Sequence, residues 1–79
     1  MISTAEDLEN ARRQLGWSVT QLARALRLCV VDAPADDPGV RQAAKRIREM
    51  ETGTRQISGP VSVAVEGFLE GHRPEGFVE

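Results

Sequence analysis

Apolar residues recur at helical spacing along most of the chain, interrupted by a small number of strong stop signals. Leu8, Ala11, Arg12 and Leu15 define a first helix. Ser3 or Thr4 can cap it, Glu6 and Asp7 fall in the first turn where the helix dipole favours anions, and Gly16 stops it. After Trp17, the run Ser18-Val-Thr-Gln21 has the form of a capping box, in which the serine oxygen takes an orphan backbone N–H and the glutamine reaches back. The second helix so begun carries Val19, Leu22, Ala23 and Leu26 on one face and turns Thr20, Gln21, Arg24 and Arg27 outward.

The stretch from Leu28 to Asp37 is punctuated by Pro and Asp and reads as a loop, with room for a brief extended piece from Leu28 to Val31. Asp37-Pro38 then supplies an N-cap and a proline for the first helical position, and good helix formers continue to Thr52-Gly53. The segment Val61 to Val65 alternates like a strand. Over a longer window Val61, Ala64, Val65, Phe68 and Leu69 match a helix that starts at Gly59-Pro60 and ends near Gly71, and helix is the better reading. Arg73 to Glu79 reads as a polar tail carrying Phe77 and Val78.

The third helix has two sharply different faces. At about 100° per residue, Val40, Ala43, Ala44, Ile47 and Met50 fall within an arc of roughly 120°, while Arg41, Lys45 and Arg48 share a strip about 60° wide outside it. Charge along the chain is distributed to match. The 79 residues carry a formal charge of -2, yet nine of the ten basic residues lie between Arg12 and Arg55 against five of the twelve acids. The middle of the chain is cationic and the flanks are acidic.

A chain this short holds one small domain, without space for a cleft walled by two domains, so an enzyme is not expected. A single cysteine, Cys29, excludes an internal disulfide and a Cys-rich zinc site and suits a reducing cytoplasm. No signal peptide and no membrane-length apolar run is recognisable, so a cytoplasmic location without membrane partners is expected. His72 has no second ligand at helical spacing and reads as a surface residue; Cys29 reads as a small apolar filler. Asp32, Asp36 and Asp37 lack the glycine and closing glutamate of a calcium loop, so capping and solvation account for them. Trp17, between two helices, reads as a core anchor. Neither a cofactor nor a metal is indicated.

The stretches Leu8-Glu-Asn-Ala-Arg-Arg-Gln-Leu-Gly16, Trp17 to Leu26, Ile47-Arg-Glu-Met-Glu-Thr-Gly53 and Arg55-Gln-Ile-Ser-Gly-Pro60 resemble the lambda-repressor-like, Xre-type helix-turn-helix transcriptional regulators, over residues 5 to 70. The resemblance implies an all-α, compact four- to five-helix domain over 1–72, followed by a tail at 73–79. It also implies a sequence-specific double-stranded DNA-binding regulator, a homodimeric repressor or autoregulator. Carried onto this chain, it puts Ser18, Thr20 and Gln21 near phosphate and Lys45, Arg46, Arg48 and Gln42 near bases, with Arg41 and Arg55 on phosphates.

The chain departs from that family in two respects. Arg27 stands where a glycine is usual, and Cys29 to Gln42 form a long insertion between the second and third helices, so that the recognition helix starts early and runs long. Val19 stands where a phosphate-binding glutamine is frequent. The alternative is an antitoxin-like or anti-repressor-like module on the same fold, holding a protein partner through loop 29–36 or the C-terminal tail.

Overall fold

The computed structural model describes residues 2–30, 33–75 and 77. Four helices form, α1 (Ala5–Leu15), α2 (Val19–Ala25), α3 (Pro38–Glu51) and α4 (Gly59–Leu69), and there is no strand among the described residues. The Leu28–Val31 piece lies partly outside them, since Val31 and Asp32 are not described, and neither are Val78 and Glu79 of the tail. The Cα radius of gyration is 11.5 Å, which matches the value of about 12 Å for a compact chain of this length.

The first three helices start at caps that the sequence offered, and the fourth starts at Gly59-Pro60 as its pattern predicts. Of the two candidates for α1, Thr4 is the cap: its hydroxyl accepts from the Asp7 N–H at 3.0 Å while the Asp7 carboxylate accepts from the Thr4 N–H at 3.3 Å. The expected capping box at α2 is present, with Ser18 Oγ accepting from Gln21 N at 3.1 Å and Gln21 Oε1 accepting from Ser18 N at 2.7 Å. Asp37 caps α3 ahead of Pro38, and Ser58 caps α4. The alternating valines of α4 are helical because Val61, Val65 and Phe68 then share one buried face.

α3 packs against α2 and α1, and α4 packs against α1. Leu8, Leu22, Ile47 and Val65, one from each helix, are completely buried. Trp17, between α1 and α2, anchors the core as expected, with Phe68 packed edge-on at 5.5 Å between ring centroids.

Three features differ from the sequence expectation. On α2, Ala25 is buried in addition to Leu22 and Ala23, while Thr20, Gln21 and Arg24 are only half-exposed, the short helix packing closely against α3. The segment read as a loop after α2 contributes to the core at its start: Leu28 packs against it, as does Cys29 in the filler role expected of it, while Val30 is exposed. The C-terminal segment is not a free polar extension either. Phe77 meets Trp17 at 5.0 Å, the Arg73 guanidinium lies 4.8 Å over the same indole, and Arg27 Nη2 donates to the Glu75 carbonyl at 2.9 Å. An aromatic ring gains more by packing against an indole than by remaining in water.

Candidate nucleic-acid interface

The candidate surface is built on α3. Its five apolar positions Val40, Ala43, Ala44, Ile47 and Met50 are all buried. The 120° arc anticipated from spacing is therefore the face that seats the helix. Small Ala43 and Ala44 let the neighbouring backbone approach closely. Arg41, Gln42, Lys45, Arg46 and Arg48 are consequently all exposed, and none of their five side chains has a hydrogen bond or ion pair to any of the described residues. Fourteen residues at about 1.5 Å rise make a rod roughly 21 Å long.

The C-terminal end of this rod is held rigidly. Arg12 of α1 donates from Nε to Glu51 Oε2 at 2.8 Å and from Nη2 to Glu51 Oε1 at 3.0 Å, and its Nη1 donates to the Trp17 carbonyl at 2.9 Å. The two side chains retain 18% and 7% of their exposure, so the pair is largely out of water. The hydrogen bonds to Glu51 push the Arg12 pKa above the ordinary arginine value, against the opposing effect of burial. Arg12 was legible as unusual, since it shares helical spacing with Leu8, Ala11 and Leu15, and a charge on an inward stripe needs a partner. Its partner, 39 residues away, was not.

The other sequence-derived candidates fall elsewhere. Ser18 and Gln21 are engaged with each other in the capping box, leaving Thr20 half-buried beside them. Among the described residues no hydrogen bond or ion pair joins these three to the α3 group. Arg55 lies past the end of α3 and is not solely a solvent-facing cation: its Nε donates to Glu49 Oε1 at 3.1 Å. Glu49 is thus a half-buried acid on the outward side of α3, among the cations that the spacing places there.

The connection between α2 and α3 runs from residue 26 to residue 37, far longer than the three- or four-residue turn of a standard helix-turn-helix. The break after α2 is made by Arg27 at φ +58, with its N–H donating to the Arg24 carbonyl and the Leu28 N–H to the Ala23 carbonyl. This is the left-handed cap that glycine usually provides. Comparison with protein-family models, with curated proteins and with solved structures returns no match for this chain.

Proposed function

We propose that this protein is a lambda-repressor-like, Xre-type regulator that binds specific double-stranded DNA through α3, acting in the cytoplasm as a homodimer and without catalytic activity. The observation that carries the reading is the outward face of α3. Four cations, Arg41, Lys45, Arg46 and Arg48, stand exposed, their side chains without a partner among the described residues, on a helix whose opposite side is buried. Such a helix fits the major groove, which admits a single α-helix. Arg41 and the terminal nitrogens of Arg55 would meet phosphates, and Lys45, Arg46, Arg48 and Gln42 would meet base edges. Ser18, Thr20 and Gln21 would offer the start of α2 to the backbone. A single module of this kind buries only about 600 to 1,000 Å² on DNA, which favours two copies on a two-fold site.

The test is enrichment from a randomised double-stranded DNA library, followed by affinity for the enriched site across salt concentrations. The expected result is a palindromic motif whose affinity falls by on the order of 10³ between low and moderately high salt, as condensed counterions are released. Salt-independent binding with no motif would instead favour the antitoxin-like or anti-repressor-like reading, with a protein partner on an apolar surface.

A further inference from the structure

Glu49 stands near the middle of the α3 surface that the proposed function turns toward DNA. At about 100° per residue it lies roughly 160° from the centre of the buried arc, and Lys45 lies at the same angle on the other side. A carboxylate there is unfavourable for general affinity, because DNA phosphates repel it.

Its position is nevertheless tightly set. Arg55 Nε holds Oε1 at 3.1 Å, and the Glu49 carbonyl accepts from the N–H groups of Thr54 and Arg55 at 2.9 and 3.1 Å. The side chain keeps 27% of its exposure, and Oε2 has no partner among the described residues. A fixed acceptor with one oxygen uncommitted, between exposed cations, is suited to reading a donor.

Resting on the DNA-binding reading above, we propose that Glu49 determines specificity by accepting a hydrogen bond at Oε2 from the N4 amino group of a cytosine. The base edges leave one good match. Guanine and thymine present acceptors to the major groove, and the adenine amino group stands beside the N7 acceptor, so an acceptor-only carboxylate is repelled by each in part. Cytosine presents a donor alone.

The experiment is library enrichment with the full chain, comparing the parent with Glu49→Gln and Glu49→Ala, each first checked for an unchanged helical melt. The parent should enrich one cytosine per half-site, discriminated from other bases by roughly 5- to 150-fold. Glu49→Gln should exchange that cytosine for adenine, whose N6 and N7 match an amide, and leave the other positions alone. Glu49→Ala should lose the preference without acquiring another. Both should bind random-sequence DNA more tightly than the parent, because a negative charge has gone, whereas a purely structural Glu49 would weaken all binding alike. Identical motifs from parent and variants would overturn the proposal. If no protein enriches any motif, the DNA-binding reading fails and the cytosine contact with it.

Discussion

Arg12 and Glu51 form a two-pronged ion pair that joins the end of α1 to the end of α3, at 2.8 and 3.0 Å. A third bond from Arg12, to the Trp17 carbonyl, ties in the turn before α2. Two helices and the turn leading into α2 thus meet at one guanidinium. Removing either side chain leaves the other charge largely buried and unpaired, which costs more than the pair contributes net. Arg12→Ala and Glu51→Ala should each destabilise by about 2 to 4 kcal/mol, and the double variant should lose much less than the sum. Denaturant unfolding of the four proteins in this cycle checks both statements.

Leu22 and Ile47 are wholly buried on adjoining helices. Truncating either to Ala should cost roughly 2 to 4 kcal/mol, a large share of the stability of a small domain, and thermal melts should show it directly.

Arg27 has the one positive φ outside glycine among the described residues. Its Cβ strains the left-handed turn by about 1 kcal/mol, while its bond to the exposed Glu75 carbonyl returns only part of that. Arg27→Gly should therefore raise the melting temperature by about 2 to 6 °C. Arg27→Ala, which keeps the strain and loses the bond, should melt below the parent.

The N–H of Ser3, followed by the contacts of Thr4, holds the Asp7 carboxyl below its ordinary pKa. A pKa lower in the folded than in the unfolded chain means that the stabilisation is complete above about pH 4 and is lost as pH falls through the folded value. Asp7→Asn should remove this part of the acid sensitivity. Melting temperature against pH between neutrality and strong acid, for parent and variant, reads it out.

For DNA, Arg41→Ala should weaken binding to all sequences alike and reduce the salt slope by about 1, whereas Lys45→Ala or Arg46→Ala should cost about 1 to 3 kcal/mol on the preferred site and relax its sequence. Competition against a randomised site at fixed salt separates the two behaviours. A sequence shift from Arg41→Ala alone would show that α3 sits in the groove in another register.

The four helices and the buried face of α3 were present in the sequence itself. Capping residues and apolar spacing act over three or four positions, so Thr4, Ser18, Asp37 and Ser58 set the helix starts, and Val40, Ala43, Ala44, Ile47 and Met50 marked the inward side before any packing was known. The exposed cations of α3 followed as the remainder of that pattern. Relations between distant segments depended on how the helices cross. The partner of Arg12, the return of Phe77 to Trp17, the packing of Leu28 and Cys29 against the core, and the hold of Arg55 on Glu49 all depend on where the chain goes after a turn. Periodicity says which face of a helix turns inward, but what that face meets is decided by tertiary packing alone.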